Sequence, residues 1–372
     1  MKVKRALTKL ITLVFLAFII SGFIHLCVYL VSNTVFNRKA IESYFLDING
    51  KSQYINLYGL SQKVLGKKEI ENFTIYKNTY NKLVEPRAKK TKDEIEKSVD
   101  SFSAIVQWTK DTSIPFFYVA PPLPITDEAD LPYGVHDYSR QNAEYLHSKL
   151  KDIKIIDVAN SIDVDKEHMF YRTDHHWSGE ACFKAYNEIA EYLSAEEIIN
   201  EKQNIKFEKV EIEGFLGSYG IKVGRYYNGR DQFVFYNPAK NLDIEFSEYS
   251  ADGVLIRTHR GQWADALMDN EILTNPGYNN KYQAALWGNS GENRIINHNI
   301  KNGKLLLIAH SYGRPLAQYL AVDFHEIRHI DPQEGRFGGN YLRYIDDYKP
   351  DAILFLGEFE GEIIGEYRTS GQ

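Results

Sequence analysis

The fold of this chain is decided at Leu305-Leu-Leu-Ile-Ala-His-Ser-Tyr-Gly-Arg-Pro315, where an apolar run meets a serine and then a helix begins. A short run without polar alternation is typical of a strand buried on both faces of a parallel sheet. The turn from such a strand into a helix raises the Ser311 hydroxyl above the strand end and directs backbone N–H groups to the same place. The stretch therefore predicts a nucleophile for acyl transfer, with a simple helix cap as the alternative role of Ser311.

Similar strands alternate with helices on both sides of this stretch. We predict strands at 114–120, 153–158, 304–309, 325–330 and 351–356. We predict helices near 138–150, 179–193, 315–322 and 339–347, and an earlier helix opened by the capping box Thr91-Lys-Asp-Glu94. This alternation is typical of right-handed βαβ units, so the predicted fold is α/β with three layers and a central, mainly parallel sheet of five strands.

Residues 200–300 break the alternation. Short strands are predicted at 207–212, 232–236 and 253–256, separated by Gly, Asn and Asp turns. We therefore expect a β-rich insertion at about 200–300 within a catalytic domain that spans 91–372.

The N-terminal region contains a candidate membrane anchor at residues 10–31. At about 1.5 Å per residue, a helix of this length reaches roughly 33 Å, enough to cross a bilayer. Four cations precede it and none interrupts it, so residues 1–9 are expected in the cytoplasm and the later domain outside. A cleaved signal peptide is the alternative, disfavoured because its apolar region is shorter and followed by small residues. Residues 32–90 are interpreted as a juxtamembrane connector.

The amino-acid composition excludes several classes of function for this chain. The net charge of the 372 residues is −6, and it is −12 without residues 1–40, which hold six cations and no acid. Such an acidic body disfavours binding to nucleic acid. The only cysteines are Cys27 and Cys182, so neither a disulfide framework nor a multi-cysteine metal site is available. Chemistry is expected from Ser, His, Asp or Glu, with no cofactor and no metal.

The second concentration of reactive side chains is Asp174-His-His-Trp177, in a predicted loop between a strand and a helix. An Asp helix cap with two solvated imidazoles is one interpretation. A metal site is disfavoured, because neighbouring His side chains diverge in extended chain and no further ligand cluster completes a shell. The DHH phosphoesterases share only three residues of this string, so that class of enzyme is disfavoured.

Both loops are expected at the carboxyl edge of the sheet, where open α/β sheets bind ligands. There, His176 could take the Ser311 proton while Asp174 orients the imidazole, and N–H groups near Ser311 and Tyr312 could stabilise the oxyanion. His176 is preferred to His175 as the base. Asp174 and His176 are separated by one residue and can both turn into one cleft, whereas the direct neighbours Asp174 and His175 do so less easily.

At these residues the chain resembles the DHHW protein family and, more distantly, the alginate O-acetyltransferase branch of the SGNH hydrolase-like superfamily. The similar segments are Asn56-Leu-Tyr-Gly59, Asp174-His-His-Trp177, Asn280-Lys-Tyr282, the block from Gly303 to Tyr312, Arg336 and Lys349-Pro-Asp351. The resemblance implies Ser311 as nucleophile and Asp174 and His176 as its partners. His175, Tyr312, Arg336 and Asn340 are predicted to orient the base or to contact substrate or oxyanion. The family usually has Asp where this chain has His310.

The function implied by the resemblance is O-acetylation of a cell-surface or cell-wall carbohydrate outside the membrane, beside a multi-span membrane acyltransferase that supplies acetyl. Three alternatives remain open: an acetyl esterase with the same triad, an α/β-hydrolase, and a non-catalytic, polysaccharide-binding scaffold. The α/β-hydrolase is disfavoured because its acid and histidine follow the serine in the chain. The serine in Gly217-Ser-Tyr-Gly220 is discounted as a nucleophile, because its glycines are typical of turns.

Overall fold

The computed structural model describes residues 51–125, 127–151, 153–199, 202–277, 279–334 and 341–357, with separate residues between 9 and 27. Residues 1–8, many residues of the predicted anchor at 10–31, and all of 32–50 lie outside the described residues. The helices formed by the described residues include none that combines the length and apolarity needed to cross a bilayer.

Helices and strands alternate along the described residues. The helices are α1 (Lys51–Val64), α2 (Lys92–Thr112), α3 (Ser139–Lys149), α4 (Val158–Ser161), α5 (Lys166–Met169), α6 (Gly179–Ala195), α7 (Ser218–Val223), α8 (Arg225–Asn228), α9 (Trp263–Leu267), α10 (Asn270–Thr274), α11 (Gly313–Leu320) and α12 (Tyr341–Tyr348). The strands are β1 (Glu69–Ile70), β2 (Ile75–Lys77), β3 (Leu83–Val84), β4 (Phe116–Ala120), β5 (Lys154–Asp157), β6 (Phe207–Phe215), β7 (Asp231–Pro238), β8 (Ile244–Tyr249), β9 (Leu255–Gly261), β10 (Glu292–Asn297), β11 (Lys304–Ala309), β12 (Glu326–Ile330) and β13 (Ala352–Leu356).

The central sheet has the strand order β5-β4-β13-β11-β12-β10-β8-β9. The first five strands are parallel and correspond to the five predicted from the sequence, with β11 between β13 and β12. The remaining three are antiparallel and continue the sheet from β12. The mainly parallel α/β sheet is confirmed, whereas the prediction of five strands is wrong, because the described residues form eight.

The additional strands come from the stretch interpreted as an insertion. The sequence analysis missed β8 and β10, and its strand at 253–256 lies at β9. In β8 the buried positions alternate with half-buried ones, and Glu248 occupies one of the buried positions, so no continuous apolar run indicates the strand. β10 pairs with the edge that β12 would otherwise leave open, and β8 and β9 continue the sheet from β10. β6 and β7 form a separate two-stranded sheet.

Two apolar cores lie on opposite faces of the central sheet. Leu305, Leu307 and Ala309 of β11 belong to one core, together with the buried side of α6 and part of α11. Leu306 and Ile308 belong to the other, with residues of α2, α3 and α12. Because successive side chains of a strand point to opposite faces, a wholly apolar β11 packs helices on both sides and produces three layers.

The segment before the central domain is also structured. Within residues 32–90, which the sequence analysis assigned to a connector, α1 contacts α7 and α8, and β1, β2 and β3 form a small antiparallel sheet. The predicted capping box is present at the start of α2: the Thr91 hydroxyl accepts the Glu94 N–H at 3.2 Å, and the Glu94 carboxylate accepts the Thr91 N–H at 2.7 Å.

Candidate active site

Two loops meet at the carboxyl edge of the parallel strands. Ser311 lies between β11 and α11. Asp174 to Trp177 lie between α5 and α6, so this loop follows short helices and not a strand, unlike the simple βα loop that we expected. An antiparallel bridge between Phe170 and Trp177 closes it, and the buried Trp177 indole anchors it in the core.

The predicted Ser, His and Asp lie in hydrogen-bond contact. His176 Nε2 is 2.7 Å from Ser311 Oγ, and His176 Nδ1 is hydrogen-bonded to Asp174 Oδ1. Asp174 Oδ1 also accepts the backbone N–H of His176 at 3.0 Å. Asp174 and His176 are buried, and Ser311 is half-buried. This is the arrangement in which an imidazole can accept a serine proton while a carboxylate fixes its tautomer.

The second oxygen of Asp174 is held by the start of α7. The Ser218 N–H donates to Asp174 Oδ2 at 2.5 Å. A Cβ on Gly217 would lie 2.2 Å from Asp174 Cβ, so only glycine permits this close approach. The Thr173 hydroxyl links the two segments by accepting the Gly217 N–H at 3.0 Å and donating to Asp231 at 2.6 Å. Asp174 is thus fixed on both oxygens before any substrate binds.

Ser218 has a positioning role that the sequence analysis missed. It contacts no part of Ser311 among the described hydrogen bonds, but its hydroxyl lies 2.8 Å from His175 Nδ1. The expectation that the glycines of Gly217-Ser-Tyr-Gly220 mark turns is wrong, because Ser218 to Gly220 form the start of α7. The N–H of Ser218, the first residue of that helix, donates to Asp174. The only sequence signal for this role is a Gly-Ser pair at the start of a helix, and that pair does not identify Asp174 or His175 as the contacted residue.

The imidazole of His176 is enclosed by aromatic rings. The Tyr282 ring stacks on it with centroids 3.8 Å apart, and the Tyr282 hydroxyl donates to the Ser311 carbonyl at 3.1 Å. The Tyr312 centroid lies 5.1 Å away, and its hydroxyl donates to the His175 carbonyl. These contacts restrict rotation of the base and keep its ring edge toward Ser311. Tyr282 was part of a family-like segment but had no predicted role.

The remaining predicted residues differ in position. His175 lies beside the triad, with its ring centroid 3.9 Å from that of His176, and it contacts Ser218 instead of Ser311. His310 is buried, and its Nδ1 is 3.4 Å from Ser311 Oγ, so an imidazole occupies the place where the family usually has a carboxylate. Arg336 and Asn340 lie outside the described residues.

Burial and charge set the protonation of the triad. Burial lowers the pKa of His176 to about 3, and His175 adds to this against the attraction of Asp174. Burial alone would raise the pKa of Asp174, but the contacts with His176, His175 and the Ser218 N–H outweigh it and hold that pKa below its usual range. The resting site is therefore a carboxylate beside a neutral imidazole, which is the state that a general base requires.

This protonation state predicts an unusual pH profile. A His with an ordinary pKa near 6.5 loses its base function as the pH falls through that value. Because burial keeps His176 neutral, kcat/KM for an acetyl ester should stay roughly level from about pH 8 to about pH 5. Initial rates of chromogenic ester hydrolysis across this range measure the effect. A titration with its midpoint near 6.5 would contradict the buried, neutral base.

Asp174, His175 and His176 also form the one group of described residues whose ligand atoms, all within 4.8 Å, could meet around a metal ion. The nitrogens of His176 are already directed to Asp174 and Ser311, and His175 Nδ1 is directed to Ser218. The donors therefore complete a proton relay among themselves, and the arrangement fits acyl transfer better than metal ligation.

Comparison with known proteins supports the resemblance. Residues 125–223, which include Asp174 to Trp177, match the ALGX family, described as an SGNH hydrolase-like domain of acetyltransferase AlgX. No curated protein matches the chain in sequence. The structure of Bacillus cereus PatB1 superposes with a TM-score of 0.61 at 19% identity, covering 77% of this chain and 95% of that one. The same protein with a sulfonyl adduct gives a TM-score of 0.63 at 19% identity, covering 79% and 100%.

A DHHW family protein from Eubacterium siraeum has a TM-score of 0.58 at 17% identity, with 76% of this chain and 90% of that chain covered. At these identities the structural likeness establishes the fold alone. Residues 125–223 are similar to the SGNH hydrolase-like domain of acetyltransferase AlgX, and the chain shares its fold with PatB1 and with a DHHW family protein, in agreement with the resemblance predicted from the sequence.

Proposed function

We propose that this chain is an O-acetyltransferase that passes an acetyl group through Ser311 to a hydroxyl of a cell-surface or cell-wall carbohydrate. The observation that carries the proposal is the 2.7 Å contact between His176 Nε2 and Ser311 Oγ, with Asp174 on the other ring nitrogen. The match of residues 125–223 to an acetyltransferase family supports acetyl as the transferred group.

In the first half-reaction, Ser311 Oγ attacks the acetyl carbonyl while its proton moves to His176 Nε2. Asp174 stabilises the imidazolium that forms. The candidates for stabilising the oxyanion are the backbone N–H groups of Ser311 and Tyr312, because those of Gly313 and Arg314 donate to the carbonyls of His310 and Ser311. The intermediate collapses when His176 returns the proton to the leaving group of the donor, which leaves acetyl-Ser311.

In the second half-reaction, His176 takes the proton of an acceptor hydroxyl, whose oxygen attacks acetyl-Ser311. The carbon–oxygen bond to Ser311 breaks, and its Oγ recovers the proton from His176. Water in place of the sugar would make the same site an esterase. Transfer therefore depends on the acceptor occupying the site before water does.

We infer that the domain acts outside a membrane, held by residues 10–31 as a single-pass anchor. The apolar run and the four preceding cations support this orientation, with the N-terminus in the cytoplasm. Such a placement would let a multi-span membrane acyltransferase deliver acetyl across the bilayer. A reporter enzyme fused after Gln372 should be active only outside the cytoplasm, and cytoplasmic activity of the fusion would refute the orientation.

The proposal is tested with the full-length chain in detergent, incubated with a chromogenic acetyl ester with and without oligosaccharide acceptors. Mass spectrometry should detect acetylated sugar that depends on both acceptor and Ser311. Release of acetate alone would assign an esterase. Equal turnover by wild type and Ser311→Ala would refute the Ser311 mechanism, and no turnover by either would leave the scaffold interpretation.

A further inference from the structure

Two neighbouring cavities lie along the carboxyl edge of the sheet, and the triad uses neither directly. The smaller, about 30 Å³, is bordered by His175, Tyr219 and Tyr312. The larger, about 250 Å³, lies on the far side of the loop that follows β4, and we call it the outer cleft. Residues 122–124 of this loop line both cavities. One loop therefore separates the outer cleft from the smaller cavity, which borders His175 and Tyr312 beside the candidate site.

The position of the outer cleft follows from the strand order. It lies at the ends of β4 and β5, since its lining includes Pro122 after β4 and Asp157 at the end of β5. Ser311 follows β11, which is two strand positions from β4 and three from β5. Neighbouring strands are about 4.8 Å apart, so the outer cleft begins roughly 10 Å from Ser311 along the edge of the sheet and extends to roughly 14 Å. A small acyl donor cannot span this distance, whereas a polymer can.

The chemistry of the outer cleft matches a ligand with apolar faces and many hydroxyl groups. Its volume is close to the lower end of the ~300–1,000 Å³ of typical ligand sites, which combine apolar walls with a few polar groups. Tyr80, Met169 and Phe170 contribute apolar surface. The charged lining residues are three cations and three carboxylates: Lys82, Arg140, Lys166, Asp130, Glu144 and Asp157. Because positive and negative side chains are equal in number, the lining disfavours a ligand that carries a strong net charge of either sign.

Lys82 is the distinctive polar group of the outer cleft. Its side chain is buried, and its ammonium donates one hydrogen bond, at 2.7 Å, to the Lys166 carbonyl. It forms no ion pair with a carboxylate in the part of the chain that the structure describes, although an ammonium has three protons to donate. Burial lowers its pKa to about 8, against the attraction of Asp231 and Glu167. The ammonium also lies 5.8 Å from the centre of the Phe170 ring. A hydroxyl-bearing ligand could accept a further hydrogen bond from it.

We propose that the outer cleft is a distal subsite for the carbohydrate acceptor, holding sugar rings of the same chain whose reacting hydroxyl lies at Ser311. This inference rests on the transferase function proposed above. Hydroxyl groups can accept from Lys82 and donate to Asp157, while the ring face packs on the half-buried Tyr80. Occupation of the outer cleft would hold a long acceptor at the site and favour it over water.

The test compares acceptors of different length. β-1,4-linked oligosaccharides of N-acetylglucosamine and of glucose are supplied as mono-, tri- and hexasaccharides to the full-length chain. Tyr80→Ala should raise KM for the hexasaccharide about five- to tenfold, since one good ring contact is lost. It should leave the monosaccharide KM and the hydrolysis of a chromogenic acetyl ester unchanged. Lys82→Met is the second variant, and Tyr133→Ala, a fully exposed tyrosine outside both cavities, is the matched control.

Direct binding separates this inference from the transferase function. In a Ser311→Ala background, which cannot transfer acetyl through Ser311, calorimetry with the same hexasaccharides should show about five- to tenfold weaker binding for Tyr80→Ala than for Tyr133→Ala. Equal binding by the two variants, or no gain in affinity from mono- to hexasaccharide in either series, would overturn the distal subsite. Length-dependent binding without acetylated sugar would instead refute the transferase function and retain the subsite.

Discussion

Ser311→Ala and His176→Ala should each remove nearly all acetyl-ester turnover, a loss of at least about 10⁴-fold in kcat. The reason is that the acetyl group has no covalent carrier without Ser311 Oγ, and no base lies 2.7 Å from that oxygen without His176 Nε2. Steady-state rates with a chromogenic acetyl ester measure the loss. Because residues of one catalytic unit are not additive, the double variant should be scarcely worse than either single one.

His175→Ala is the matched control for this prediction. Its ring lies 3.9 Å from that of His176, yet its polar contact is with Ser218 and not with Ser311. Its loss should therefore be much milder, and the melting temperatures of all three variants should stay close to that of wild type. If His175→Ala is as damaging as His176→Ala, the base has been assigned to the wrong imidazole.

Asp174→Asn should reduce kcat by up to about 10⁴-fold, the size of the wrong-tautomer effect in serine proteases. The amide keeps the shape of the carboxylate but presents a neutral group to His176 Nδ1, so the imidazolium loses its stabilising charge. Asp174 is buried and held on both oxygens, hence water cannot replace it. The same ester assay, combined with the melting temperature, measures the effect.

Asp231→Asn provides the comparison for Asp174→Asn. Asp231 accepts hydrogen bonds from Thr173, the neighbour of Asp174, but does not contact His176. Its replacement should lower stability more than it lowers kcat. A similar loss of kcat in both variants at equal stability would show that the Asp174 carboxylate has no special role toward the imidazole.

The parts predicted well from the sequence were those with strong local signals. The five parallel strands are continuous apolar runs, and a strand can be predicted from such a run without knowledge of the strands that pair with it. The capping box before α2 is likewise local. The Asp174-His-His-Trp177 string and the serine after β11 were expected together because both were predicted to follow parallel strands. The structure brings them into contact, although the first loop follows short helices.

The parts that were missed depend on pairings between distant residues. β8 and β10 mix buried and half-buried residues, and they are stabilised by pairing, β10 with β12 and β8 with β10. Tyr282 supports His176 only after the chain has folded, and nothing in a single sequence links these positions. The same holds for Ser218, whose N–H reaches Asp174 across a separation of more than forty residues.

The most direct test of the catalytic assignment is the detection of the covalent intermediate. The full-length chain is mixed with an acetyl ester without acceptor, quenched in acid and digested, and its peptides are analysed by mass spectrometry. The account predicts an acetyl group on Ser311, absent in Ser311→Ala and removed when an acceptor carbohydrate is added. Acetyl on another residue, or full turnover with Ser311 never acetylated, would contradict it.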